Sequence, residues 1–210
     1  MNPAVMAQRR EPPDSLDFFP TPPWATRALC EIVLRGFELG TVWEPACGEG
    51  HMAEVLREYT TRVFASDVFN YGKGQSAIGS FVGVGPDVVQ PPHPVTWIIT
   101  NPPFNLAGEF LERARTEARG VALLVRTAWI EGSERYDRIF SKHPPNLVAV
   151  FSERVPMVKG RWNPKASTAT SYAWCVWKPG SFAEGTRLMW IPPGQRLRLT
   201  LPTDVERFAS

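Results

Sequence analysis

Cysteine and histidine are scarce in this chain, with three residues of each among 210. The three cysteines, Cys30, Cys47 and Cys175, are odd in number and widely spaced, which argues against a disulfide framework. There is no CxxC pair, and no histidine stands beside a second type of ligand, so we expect no metal site. No segment approaches the roughly 18 apolar residues that a membrane span needs. The charged N-terminus lacks the apolar run of a secretory signal. These absences predict a cytoplasmic protein that makes no membrane contact.

The composition is that of a globular chain. Hydrophobic residues make up 43% and charged residues of both signs 21%, and the length fits one domain. A formal net charge of +2 permits nucleic-acid binding without arguing for it. We expect residues 1–16 to form a flexible tail and residues 17–210 to form a single domain.

Short apolar runs alternate with segments of helical spacing along this domain. This alternation predicts a mostly parallel sheet with helices on both faces. Glu44, Asp67 and Asn101 each follow one of the predicted strands. Because the carboxyl ends of parallel strands meet at one edge of a sheet, we expect these three residues to converge there. The predicted strands are 41–43, 61–66, 95–100, 121–125, 147–151, 172–177 and 188–191.

The segment 44–50, Glu-Pro-Ala-Cys-Gly-Glu-Gly, lies between a predicted strand and a predicted helix. Its glycines allow the backbone to bend sharply and to approach a ligand. A third glycine at the GxGxxG spacing is absent, because residue 53 is alanine, and there is no Gly-Lys-Ser/Thr of a P-loop. Glu44 disfavours a phosphate and suits a cationic ligand. Asp67 is placed to accept hydrogen bonds from ribose hydroxyls.

The sequence Asn101-Pro102-Pro103-Phe104 follows an apolar strand and is the strongest functional signal. Two prolines give a rigid turn without N–H donors, so its carbonyl oxygens are left to accept hydrogen bonds. Together with the Asn101 side chain they can accept both N–H bonds of a planar amino group and free its nitrogen lone pair for attack. Phe104 offers a face on which a base can stack.

These segments resemble the adenine-N6 type of amino-group DNA methyltransferases. The segment 44–50 is similar to their cofactor motif, the segment 101–104 to their (D/N)PP(Y/F) catalytic motif, and the segment 18–22, Phe-Phe-Pro-Thr-Pro, to their N-terminal cofactor segment. The order of the motifs is the gamma arrangement, and the segments 123–136 and 152–157 are similar to short phage or prophage forms. The resemblance implies a Rossmann-like class I methyltransferase fold with a seven-stranded mixed sheet, S-adenosylmethionine as cofactor, DNA as partner and flipping of the target base.

The resemblance also assigns roles to residues. The catalytic residues would be those of segment 101–104. A target-base partner is expected from Trp162 or Tyr172, and a basic cluster in the segment 154–165 is expected to contact phosphates. At the position where the family has an acid that contacts the cofactor adenine, this chain has Gly79-Ser80-Phe81. The cofactor-binding residues would be Phe19, Thr21, Glu44, Pro45, Ala46, Cys47, Gly48, Gly50, Asp67 and Val68, and the basic cluster consists of Arg154, Lys159, Arg161 and Lys165.

Sequence-specific members of this family carry a long target-recognition region, and this chain has no room for one. We therefore expect short or relaxed DNA specificity, or specificity supplied by a partner. The alternatives are an RNA methyltransferase acting on adenine N6 or guanine N2, a protein glutamine N5 methyltransferase, and a non-catalytic cofactor-binding subunit. The residues define neither the target sequence nor the oligomeric state.

Overall fold

The computed structural model describes residues 17–179 and 185–208, so the predicted tail 1–16 lies outside the described residues. The described chain forms an eight-stranded sheet in the order β3-β2-β1-β4-β5-β7-β6-β8. Strand β7 runs antiparallel to both of its neighbours, and the other pairings are parallel. The strands are β1 (Thr41–Glu44), β2 (Arg62–Asp67), β3 (Ala77–Ile78), β4 (Val95–Thr100), β5 (Ala118–Arg126), β6 (Leu147–Phe151), β7 (Tyr172–Trp177) and β8 (Arg187–Ile191).

Helices cover both faces of this sheet. Successive residues of β4 point to opposite faces, and both faces are apolar. Trp97 and Ile99 pack with Leu29 on one face, and Ile98 packs with Phe110 on the other. Helix α1 continues as a π-helical turn over Leu29–Val33, and a second such turn, Tyr136–Phe140, extends α4. The helices are α1 (Pro23–Ala28), α2 (His51–Leu56), α3 (Ala107–Glu117), α4 (Ser133–Arg135), α5 (Gln195–Leu199) and α6 (Asp204–Phe208).

The predicted α/β class with a mixed sheet is confirmed, with eight strands instead of seven. The additional strand is β3, which lies between the predicted strands 61–66 and 95–100. It has only two residues, so it has no periodicity that a sequence could display. Its pairing depends on β2, where Ser66 and Asp67 are the partners of Ala77 and Ile78. Helices α5 and α6 were not predicted, and each has only five residues.

None of the helices in the described part of the chain is long and apolar enough to cross a membrane.

Candidate active site

A cleft opens at the carboxyl edge of β1, β2 and β4. Glu44 ends β1, Asp67 ends β2 and Asn101 follows β4, and all three side chains line this cleft. The parallel pairing of β1 with β2 and with β4 produces the convergence, since neighbouring strands that run in one direction end at one edge. Thr21, Pro45, Ala46 and Val68 line the same cleft.

The glycine loop after β1 is held by β2. The backbone N–H of Gly48 donates to Asp67 Oδ2 at 2.8 Å, and the N–H of Cys47 donates to the Ser66 carbonyl at 3.0 Å. The other Asp67 oxygen accepts from the N–H of Phe69 at 3.0 Å. Burial raises the pKa of Asp67, and these backbone donors oppose the rise. One carboxylate therefore fixes the loop and also faces the cleft, where its remaining lone pairs can accept from a ligand.

Three of the predicted cofactor residues, Cys47, Gly48 and Gly50, do not line the cleft, and Cys47 and Gly50 have other roles. Cys47 is buried with Ala53 and Ala65 in a small apolar cluster. Gly50 adopts φ 85° at the N-terminus of α2, a conformation that favours glycine. The structure therefore gives these two positions packing and backbone roles. The spacing of the loop alone could not separate such roles from ligand contact.

Glu44 is 2% exposed, and among the described residues its Oε2 has no hydrogen-bond partner. Burial raises the pKa of Glu44 well above its ordinary value, and the negative charge of Asp67 adds to this effect. A buried carboxyl oxygen without a partner is unfavourable unless a ligand supplies a donor. Glu44 is therefore suited to receive a cationic or hydroxyl group that enters the cleft.

The Asn101 side chain is oriented by two segments outside its own loop. Its Nδ2 donates to the Phe19 carbonyl at 2.9 Å and lies 3.6 Å from Met157 Sδ. Its Oδ1 is buried and has no partner among the described residues. The neighbouring Pro102 carbonyl likewise accepts no hydrogen bond from the described chain, whereas the Pro103 carbonyl accepts from the N–H of Leu106. Two consecutive residues, Asn101 and Pro102, thus each keep one acceptor without a partner in the described chain.

The N-terminal segment 17–21 closes one side of the cleft. Asp17 Oδ2 accepts from the N–H of Phe104 at 2.8 Å, and the Phe18 carbonyl accepts from the N–H of Gly160 at 2.9 Å. The Phe18 ring lies so close to Gly48 that a Cβ at that position would come within 2.3 Å of it. The N-terminal segment therefore joins the glycine loop, the segment 152–171 and the segment 101–104, which is called the catalytic loop after its predicted role.

Phe104 is surrounded by two rings and a cation. Its ring centroid lies 5.4 Å from that of Phe19 and 6.5 Å from that of Tyr172. The guanidinium carbon of Arg126 lies 3.8 Å over the Phe104 ring. Tyr172 is thus close to the segment 101–104, but it is a buried core residue that does not line the cleft, so its expected role as a target-base partner stays a prediction.

The structure does not bring Trp162 to the catalytic loop. This ring is buried against Val55 and Phe208 and lines a second cavity beneath α5 and α6. It is anchored by packing between α2 and the C-terminal helix, a long-range contact that the sequence does not display.

The predicted basic cluster also lies outside the cleft lining. Arg154, Arg161 and Lys165 are exposed, Arg154 hydrogen-bonds to Ser171, and Lys159 is half-buried. Because Met157 and Gly160 of the same segment contact the catalytic loop and the N-terminal segment, the cluster stands beside the cleft.

Several lining residues were not predicted as site residues. Ser80, Phe81 and Val82 line the cleft at the position where the family places its acid, and Tyr71 lies opposite Phe18. Ser80 Oγ donates to the Val82 carbonyl at 2.6 Å, so this turn is internally bonded. Asp17 and Arg126 were also missed. Their contacts join residues 87 and 22 positions apart, and no local pattern marks such pairs.

No protein-family model and no curated protein matches the sequence. Solved structures do match the fold. The methyltransferase subunit of a type I restriction-modification system from Streptococcus thermophilus has a TM-score of 0.60 at 10% identity, over 81% of this chain and 46% of that chain. A protein from Listeria monocytogenes, described as a class I S-adenosylmethionine-dependent methyltransferase, has a TM-score of 0.56 at 14% identity, over 84% and 66%. A protein from Pyrococcus horikoshii, described as an RNA methyltransferase, has a TM-score of 0.54 at 17% identity, over 81% and 91%.

The chain therefore spans about half of the Streptococcus subunit and two thirds of the Listeria protein. At these identities the likeness shows the fold alone, which is the Rossmann-like fold of class I methyltransferases.

Proposed function

We propose that this chain transfers a methyl group from S-adenosylmethionine to the N6 amino group of adenine in DNA. The observation that carries the proposal is the buried Oδ1 of Asn101, which has no partner in the described chain and is followed in sequence by the Pro102 carbonyl, which has none either. An acceptor pair of this kind is what a conjugated amino group needs in order to react.

The orientation of Asn101 follows from its donors. The amide nitrogen must face the Phe19 carbonyl, because a carbonyl oxygen can only accept. The side-chain oxygen then points away from that contact and remains for a substrate. When it and the Pro102 carbonyl accept the two N–H bonds of an amino group, the nitrogen moves towards tetrahedral geometry and its lone pair leaves the ring system. Positive charge develops on this nitrogen as it reacts, so the two acceptors stabilise the transition state electrostatically.

The described residues fit S-adenosylmethionine. Glu44 has a buried oxygen without a partner, Asp67 has spare acceptor capacity, and Val68, Phe81 and Val82 offer apolar surface on the same cleft. Carboxyl oxygens suit the ammonium and hydroxyl groups of this cofactor, and apolar side chains suit its adenine. When bound, the cofactor supplies a methyl group activated by a sulfonium. Glu44 and Asp67 would hold it, with Thr21 closing the cleft on the N-terminal side.

Two features support adenine in DNA as the target. The glycine loop 44–50 and the N-terminal segment 18–22 are similar to those of the adenine-N6 DNA family, and glutamine methyltransferases typically have a different cofactor loop. The exposed cations Arg154, Arg161 and Lys165 stand on the segment that contacts Asn101 through Met157. Such cations suit a phosphate backbone beside a flipped base. The connection 152–171 between β6 and β7 is short for a region that reads bases, so the proposal includes short or relaxed sequence specificity.

Parallel assays of tritiated methyl transfer to DNA, RNA and protein test the substrate. We expect label in N6-methyladenine of DNA, and label confined to RNA or to protein would refute DNA as the target.

Asn101→Ala tests the mechanism. Because the variant loses one transition-state acceptor, turnover should fall by about 10²-fold or more while cofactor binding is retained. Asn105→Ala is the matched control, since Asn105 is exposed on the same loop and does not line the cleft. Equal turnover in the two variants would contradict the role given to Asn101.

A further inference from the structure

Arg126 is the last residue of β5, and its exposed side chain lies over the aromatic ring of the catalytic loop. Its guanidinium carbon is 3.8 Å from the centroid of the Phe104 ring. In the antiparallel pairing of β5 with β7, Arg126 stands opposite Tyr172. Burial raises the pKa of the Tyr172 hydroxyl, and the nearby guanidinium acts against this rise. Arg126 therefore contacts Phe104 and lies close to the Tyr172 hydroxyl.

This position has a steric consequence for any planar substrate. Atoms of two stacked groups lie about 3.5–4.0 Å apart, so a planar ring inserted between guanidinium and phenyl would need about twice that separation. The observed 3.8 Å leaves no such space. A base can stack on this face of Phe104 only after Arg126 has moved from it.

The movement also has an electrostatic consequence. A guanidinium that leaves Phe104 gives up a cation–π contact and needs a compensating partner. A phosphate provides one, because its oxygens match the planar fork of donors in arginine. A neutral peptide amide or a free nucleoside provides none. The exchange therefore favours a substrate that carries a phosphate next to its base.

We propose that Arg126 is a specificity-determining residue that covers Phe104 until the phosphate of an incoming nucleotide draws its guanidinium away. This inference rests on the proposed function, in which Phe104 stacks a nucleobase. It deepens that function by naming a nucleotide within a strand, and not a free base or an amide side chain, as the class of substrate admitted.

The test compares Arg126→Met, which removes the charge, with Arg126→Lys, which keeps it. Arg119→Met is the matched control, because Arg119 is exposed at the opposite end of β5. Binding of a fluorescein-labelled, adenine-containing DNA strand is measured by anisotropy at about 50 and 200 mM salt, with S-adenosylhomocysteine present. Methyl transfer to the same strand and to free adenosine gives KM and kcat separately. Thermal unfolding of each variant verifies that it is folded.

One phosphate contact adds about 0.9 to the steepness with which the logarithm of the binding constant falls with the logarithm of the salt concentration. Over this fourfold change in salt, one contact therefore changes the affinity by about threefold. When the salt concentration is raised, the loss of affinity of Arg126→Met should therefore be about threefold smaller than that of the parent. For methyl transfer to the strand, the KM of this variant should change more than its kcat. Arg126→Lys and Arg119→Met should retain the parental salt dependence. Arg126→Met should also use free adenosine at a lower KM than the parent, since no cation–π contact has to be given up before a base stacks on Phe104.

The possible failures are distinguishable. This inference alone would be overturned if the parent methylates DNA and Arg126→Met has the same salt dependence and the same KM for adenosine as the parent. Methyl transfer to protein and to no nucleic acid would overturn the proposed function and this inference together. If Arg126→Met does not fold, loss of the parental salt dependence in Arg126→Lys would also overturn the inference, because that variant keeps the charge.

Discussion

Replacing Arg27 by methionine should destabilise the fold without changing the cleft. Arg27 is 2% exposed on α1, and its guanidinium donates to both oxygens of Asp204, each at 2.7 Å. It also donates to both oxygens of Glu58, at 2.7 and 2.8 Å, and to the Leu199 carbonyl at 2.7 Å. This single side chain joins α1 to α5 and α6 and to the turn after α2. Methionine preserves much of the length and removes all five hydrogen bonds.

The magnitude depends mainly on Asp204. This residue is 0% exposed, and after the substitution its carboxylate would retain the N–H of Leu201 as its remaining hydrogen-bond donor in the described chain. Removing one partner of a buried ion pair costs about 3–5 kcal/mol, because an uncompensated charge remains. Glu58 adds little, since its side chain is 26% exposed and keeps Arg207 at 2.8 Å. For a chain of this size, each kcal/mol lowers Tm by about 2–4 °C, so Tm should fall by about 6–20 °C.

Urea unfolding and thermal melting measure this loss, with Arg207→Met as control. Arg207 also pairs with Glu58, but its side chain is 34% exposed, so its loss should cost less than about 1 kcal/mol. Adding Asp204→Asn to Arg27→Met should restore part of the stability, because it removes the buried charge and keeps an acceptor for Leu201. The reasoning is refuted if Arg27→Met is no less stable than Arg207→Met, or if the double variant is no more stable than the single one.

Two further predictions concern the cleft. Since the pKa of Glu44 is raised above its ordinary value of 4.5 by burial and by Asp67, the folded state binds this proton more tightly, and stability should fall as pH rises from about 4.5 through the raised pKa. Urea unfolding of Glu44→Gln between about pH 4.5 and 8 should show a smaller decline than the parent, and parallel pH profiles would contradict this. Gly48→Ala should be less stable than Gly72→Ala, because both have positive φ but only the former meets a neighbour, the Phe18 ring. In both variants the positive φ alone should lower the free energy of unfolding by about 1–2 kcal/mol. Equal destabilisation of the two variants in thermal melting would show that the Phe18 ring moves aside freely.

The sheet could be predicted because each long strand contains a run of apolar residues. Strand β4 is buried on both faces, which is why four of its six residues are apolar. The convergence of Glu44, Asp67 and Asn101 followed from parallel topology and needed no knowledge of side-chain packing. The predicted strands therefore positioned three cleft residues correctly, although their roles in binding and catalysis stay predictions.

Three positions whose surroundings the sequence did not display depend on contacts with other segments. Cys47 resembles a loop residue in the sequence, but Ala53 and Ala65 are small enough to bury it. Trp162 stands among basic residues, yet it packs against Phe208 near the end of the described chain. Arg126 could not be distinguished from any exposed arginine at the end of a strand, because its cation–π partner Phe104 belongs to another loop. In each case the contact that decides the role is formed only on folding.

The same dependence applies to Asn101, the proposed catalytic acceptor. Asn101 follows β4, but its rotation is fixed by the Phe19 carbonyl and by Met157. Phe19 belongs to the segment that also binds Phe104 through Asp17, and Met157 belongs to the segment that binds Phe18 through Gly160. An Asn-Pro-Pro-Phe sequence alone therefore supplies the acceptor atoms without orienting them. Because a hydrogen-bond acceptor acts only at the correct distance and angle, the proposed catalytic unit is the loop together with these two docked segments.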